Sequence, residues 1–149
     1  SGNRIKDIVF SWEDALNFDG ETGPYVQYTH ARACSVLRKA GIGAGTDAPV
    51  EELSDFDPAL IREKEALDVL RVLHRFPEAV EQAMAKLEPS IISRWLIDLA
   101  QAFNRFYHDH AILVDDPALR LARLALVKCV QMALRNGLRL IGLQSPERL

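Results

Sequence analysis

Apolar positions along this chain recur at helical spacing and are punctuated by proline. The first such stretch runs from Pro24 to Lys39, with Val26, Ala33, Leu37 and, less centrally, His30 on one side, and stops before Gly41. Asp57-Pro58 reads as an N-cap followed by proline at the first helical position, and Leu60, Ile61, Leu67, Leu70 and Leu73 carry a helix to about Arg75. Pro77 opens a shorter helix with Val80, Met84 and Leu87 as its apolar positions. Pro89 opens another, through Ile92, Trp95, Leu96, Leu99, Phe103 and Phe106, ending near His108. Asp116-Pro117 repeats the cap, and a strongly apolar series runs on to Asn136-Gly137. Leu138 to Leu140 then add a short turn, and residues 142–149 read as a trailing tail. Near the start, Asp7 to Phe10 fits a brief extended piece and Ser11 a cap for a short helix, while residues 41–57, rich in glycine, read as a loop. Four long helical patterns, with almost no strand alternation and no repeat, predict an all-α helical bundle.

The first long helix is two-faced. With Val26 at zero and about 100° per residue, Tyr25, Tyr28, Arg32, Ser35 and Lys39 fall between roughly 180° and 260°. Phenol rings among basic and hydroxyl groups can stack on bases and hold phosphates. The same tyrosines also fit half-buried packing, and the pattern alone leaves both open. Phe103, Phe106 and Tyr107 share one helical face. They read as a core stripe with Tyr107 at its wet margin, where its ring would complete an aromatic pocket with the tyrosines of the first helix.

A chain of 149 residues with 48% hydrophobic content has room for one core, so residues 1–149 are expected to form a single domain, with 1–18 as a connecting segment. Ser1-Gly2 reads as a cut end of an excised domain. No apolar run of about twenty residues predicts a membrane span, and no secretory leader is visible. Cys34 and Cys129 read as small buried hydrophobes of a reducing compartment. The formal net charge of −3 is unevenly spread. Residues 1–90 hold 10 basic and 16 acidic side chains, and residues 91–149 hold 8 and 5. Local field matters more than the total when a protein meets phosphate.

Catalytic chemistry is sparse. The glycines of residues 41–45 lack the Lys-Ser/Thr of a phosphate loop. His108 and His110 stand two apart, a spacing that separates them on a helix, and no third metal ligand accompanies them. His30 and His74 look isolated, and Glu63, Glu65 and Asp68 read as a solvated face. No catalytic or metal-binding set is predicted.

Three motifs together resemble the C-terminal anticodon-binding domain of arginyl-tRNA synthetase, an all-helical type named for an Asp-Ala-Leu-Arg signature. They are Gly20 through Tyr28 with His30-Ala31-Arg32, the run Phe103-Asn104-Arg105-Phe106-Tyr107, and the ending Asn136 through Leu149. Here Asp116-Pro117-Ala118-Leu119-Arg120 keeps Ala-Leu-Arg with a proline inserted, and Leu149 stands where the family often ends in methionine. The resemblance implies a class I synthetase bundle whose partner is the anticodon arm of arginine tRNA, with neither DNA nor a membrane as partner. It assigns Tyr25, Tyr28, Tyr107 and Leu149 to the anticodon bases. Arg32, Lys39, Arg135, Arg139 and Arg148 are then expected to position phosphates. It further implies a cytoplasmic parent ligase whose catalytic domain binds ATP and magnesium. No His-Ile-Gly-His-type or Lys-Met-Ser-Lys-Ser-type element occurs in this chain, so the fragment is expected to be non-catalytic and free of cofactors. A helical module that binds protein is the competing expectation. A concavity where tyrosines meet basic side chains favours RNA, and a flat apolar patch favours protein.

Overall fold

The computed structural model describes residues 22–42 and 53–149. Five α-helices form the bundle: α1 Gly23–Lys39, α2 Lys64–His74, α3 Phe76–Lys86, α4 Ser90–Asp109 and α5 Pro117–Leu140. No strand occurs among the described residues. The extended piece and short helix expected within residues 7–18, and most of the glycine-rich loop, lie outside them.

Helix α4 is the central element and packs on all four others. Its Leu96, Leu99, Phe103 and Phe106 are wholly buried, and they meet Val26, Ala33 and Leu37 of α1 and Val127, Val130, Leu134 and Leu138 of α5 in one core. The expected buried face of α1 is therefore the observed one. Helices α2 and α3 have 11 residues each, below the length of about 12–15 at which an isolated helix is even marginal in water. Contacts with α4 must hold them. Trp95 supplies one, donating from Nε1 to the Val72 carbonyl at 2.7 Å while its ring lies 4.5 Å from that of Phe76.

Several boundaries differ from the sequence expectation. Asp57 does cap, accepting from the Ala59 N–H at 3.0 Å, but it starts only a 3-10 turn over Pro58–Leu60. Ile61 is then extended and packs on the core, so α2 begins three residues later. Met84 of α3 and Leu87, just past its end, face solvent rather than the core. Leu87 adopts a left-handed conformation (φ 54°), and the Glu88 N–H closes the helix end on the Ala83 carbonyl at 2.9 Å. Helix α5 does not stop at Gly137. That glycine lets α5 lie close against α4: a Cβ there would stand 2.6 Å from Leu96 Cδ2. A missing side chain, read as a stop, permits helix contact instead. Cys34 is buried as expected, but Cys129 is exposed.

The acidic residues at the start of α2 are also not a simple solvated face. Glu63 accepts from the buried Arg123 of α5 at 2.9 Å, and Glu65 meets His110 at 3.1 Å. Burial pushes the Glu63 carboxyl up, but its hydrogen bonds, including that from Arg123, together with the Arg123 charge hold it below the usual range. His110 is thereby engaged by the Glu65 carboxylate, and no cluster with metal-ligand geometry exists among the described residues.

Candidate functional site

Helix α1 turns its polar face toward the C-terminal turn of α4, and side-chain hydrogen bonds lock the two together. Asn104 is the hub. Its Nδ2 donates to the Tyr25 hydroxyl and to Thr29 Oγ1, each at 2.9 Å, and its Oδ1 accepts from Arg32 Nη1 at 2.8 Å. Arg32 also donates from Nη2 to the Tyr28 hydroxyl at 3.3 Å. Its guanidinium carbon lies 4.6 Å from the ring centre of Tyr107 and 5.0 Å from that of Tyr28. The cation thus bridges two phenol rings, an arrangement its delocalised planar charge suits and a lysine would not reproduce.

Beside this layer lies a cavity of about 420 Å³ lined by Tyr28, Arg32, Ser35, Arg38, Lys39, Tyr107, Arg148 and Leu149 with Ala31 and Val36. Four basic side chains and no Asp or Glu line it, so a chain of net negative charge presents a positive concavity here. Tyr28 is 50% and Tyr107 37% exposed, which leaves ring area open to a ligand. Phe103, next to Tyr107 on the same face at 6.2 Å between ring centres, is wholly buried and anchors it. A larger cleft, about 510 Å³, runs between α3 and α4, but its lining mixes Arg75 and Arg94 with Glu78 and Asp98 and gathers no aromatic platform beyond the Trp95 edge. The chemistry for a flat anionic ligand sits at the smaller one.

Of the residues singled out in the sequence, Tyr28, Tyr107, Leu149, Arg32, Lys39 and Arg148 come together at this cavity. Tyr25 does not line it and instead supports Asn104 from the side. Arg135 and Arg139, near the C-terminal end of α5, do not line it either.

The terminal segment is not a trailing tail. Gln27 Nε2 donates to the Gln144 carbonyl at 2.9 Å, and Arg38 Nη1 to the Glu147 carbonyl at 3.0 Å. His30, expected to be isolated, is fully buried with its Nδ1 2.9 Å from the Pro146 carbonyl and its Nε2 3.1 Å from Gln131 Nε2. Burial pushes its pKa down, against the opposing pull of that carbonyl and the Glu147 charge. Burial likewise pushes the neighbouring Cys34 thiol up to about 11, which makes it an inert packing group. Asn104, Arg38, Gln27 and His30 are the site residues that spacing did not reveal. Only the composition of the Phe103–Tyr107 run, an amide set among aromatic residues, hinted at the first.

Comparison with known proteins identifies the family. The family model of the DALR anticodon binding domain matches residues 26–149. The arginine–tRNA ligase of Clostridioides difficile is 52% identical over 149 residues, covering 100% of this chain and 25% of that protein. The arginine–tRNA ligase of Thermococcus kodakarensis is 44% identical over 147 residues, covering 97% of this chain and 22% of its own length. Among solved structures, Thermus thermophilus arginyl-tRNA synthetase superposes with a TM-score of 0.66 at 40% identity, over 92% of this chain and 23% of that one. A putative arginyl-tRNA synthetase from Campylobacter jejuni gives 0.71 at 21% identity, over 84% and 26%, and supports the fold alone. The chain spans about a quarter of the length of the relatives it matches.

Proposed function

The chain belongs to the DALR anticodon-binding domain family, and from that premise we propose that it recognises the anticodon arm of arginine tRNA as one domain of an ATP-dependent arginine–tRNA ligase. The observation that carries the reading is the convergence of Tyr28, Tyr107 and Arg32 with Arg38, Lys39 and Arg148 around one cavity. Its volume, about 420 Å³, lies in the range of small-molecule sites. A base unstacked from the anticodon loop enters it, stacks on phenol and guanidinium faces, and meets Leu149 as an apolar wall. Arg32 serves as a stacking layer as well as a charge, while Lys39 and Arg148 are the side chains best placed for phosphate. Tyr25 acts indirectly, by holding Asn104 and through it Arg32. Arg135 and Arg139, outside the cavity, add longer-range attraction to the RNA backbone.

On this reading the whole chain is one anticodon-binding domain, residues 1–18 connect it to a catalytic domain of the same parent, and ATP and magnesium belong to that domain. Cytoplasmic translation is the setting it implies. Among the described residues no helix is long and apolar enough to cross a membrane.

Titration with transcripts of arginine tRNA and an anticodon-altered version, at fixed salt, tests the proposal. Tyr28→Ala is expected to weaken the matched tRNA by about 1–3 kcal/mol, the loss of one base stack, and the altered one much less. Equal losses on both, in a variant whose circular dichroism is native, would remove the case for base recognition.

A further inference from the structure

Three carbonyls of the C-terminal segment are held by α1, and one of the bonds is made by a buried side chain. Gln27 and Arg38 grip Gln144 and Glu147 at exposed positions, where solvent competes. His30 grips Pro146 from a fully buried ring. The direction of every proton in this contact is fixed from behind. Lys128 Nζ has only protons to offer, so Gln131 accepts through Oε1 at 3.0 Å and turns its Nε2 donor toward His30 Nε2 at 3.1 Å. His30 Nε2 must then accept, which places the ring proton on Nδ1 and aims it at the Pro146 carbonyl, 2.9 Å away. Lys128 and Gln131 are themselves buried, 3% and 1% exposed. Three buried polar side chains, two on α5 and one on α1, thus form a chain from Lys128 through Gln131 to His30, which alone meets the Pro146 carbonyl.

We infer that His30 is a positioning residue of the RNA site, which sets the register of the terminal segment so that Arg148 and Leu149 reach the cavity; this rests on the function proposed above. Leu149 lies three residues beyond Pro146, and a one-residue slip at that anchor displaces it by roughly 3.5 Å, about the thickness of a stacked base. Proline suits the anchor because it offers a carbonyl and brings no N–H that would need a partner beside the buried ring. The relay determines where the wall of the cavity stands without touching the ligand.

The experiment compares wild type, His30→Leu, His30→Asn and a chain lacking residues 147–149, alone and combined with His30→Leu. Hydrogen exchange over residues 143–149 and affinity for an arginine anticodon-arm RNA are measured for each. His30→Leu should speed exchange in the terminal segment about two- to tenfold, as expected for one lost hydrogen bond, with α4 amides unchanged. It should weaken RNA binding as much as the deletion does, and add nothing to the deletion. Asparagine, whose amide nitrogen takes the place of Nδ1, should restore most of both. Gln131→Leu, which leaves the tautomer undirected, should show the same pattern to a smaller degree and serves if His30→Leu does not fold. Unchanged exchange in 143–149, or losses that multiply on combination with the deletion, would overturn the inference. If wild type binds no anticodon-arm RNA, the proposed function fails, while the exchange measurements still decide whether His30 seats the segment.

Discussion

Burial gives His30 a consequence for pH. Its pKa is lowered in the folded chain, chiefly by desolvation, with Arg135 and Lys128 acting in the same direction and the Pro146 carbonyl and Glu147 against it. In the unfolded chain it returns to about 6.5. The unfolded state then binds more protons between the two values, so the stability tied to neutral His30 is complete above about 6.5 and is lost as pH falls through the folded pKa. Urea midpoints should therefore drop between pH 7.5 and 5.5 in wild type and stay nearly level in His30→Asn; equal slopes in both would show that His30 is not the titrating group. At this scale the apolar side of α1 was legible from angular spacing: Val26, Ala33 and Leu37 are all wholly buried. His30 shares that side, yet its partner Gln131 lies 101 positions away, and no local pattern reports such a contact. Asn104 joins Tyr25 and Arg32 across the same kind of gap.

At the level of elements, two identical cap-and-proline signals led to different structures. Asp116 starts the 24-residue α5, accepting from the Ala118 N–H at 3.0 Å, whereas Asp57 starts a turn of three residues. Asp116→Ala should cost about 0.5–2 kcal/mol in chemical unfolding, as a lost N-cap does. Asp57→Ala should cost less, because no helix depends on it; equal losses would count against this distinction. The cap is local chemistry and readable, but the length of the element it starts depends on where Ile61 finds the core. Gly137 is the complementary case. Glycine after an apolar series usually marks a stop, and here the proximity of Leu96 makes it a point of contact inside a continuing helix.

For the molecule as a whole, a net charge of −3 and a cavity with four basic residues coexist because folding collects charges from α1 and the terminal segment that are more than a hundred positions apart. On the function proposed above, ATP is handled by a separate catalytic domain, and this chain is expected to show no arginine-dependent ATP–pyrophosphate exchange; activity in a preparation free of any longer ligase would refute that division of labour. What the sequence determined by itself were the features that nearest neighbours decide: helical periodicity, proline breaks, two caps, the two-faced α1, and the motif run that marks the family. It also named most of the cavity's residues: Tyr28, Arg32, Ser35 and Lys39 fell on one helical face, the Phe103–Tyr107 run supplied Tyr107, and the family resemblance supplied Arg148 and Leu149. Tertiary structure alone decided which of them converge. It made Arg32 a bridge between two rings, placed Asn104 behind it, left Arg135 and Arg139 outside the cavity, and fastened the terminal segment to α1 through Gln27, His30 and Arg38. The physical reason is that a hydrogen-bond partner is chosen by distance in space, and only the mutual packing of α1, α4 and α5 sets those distances.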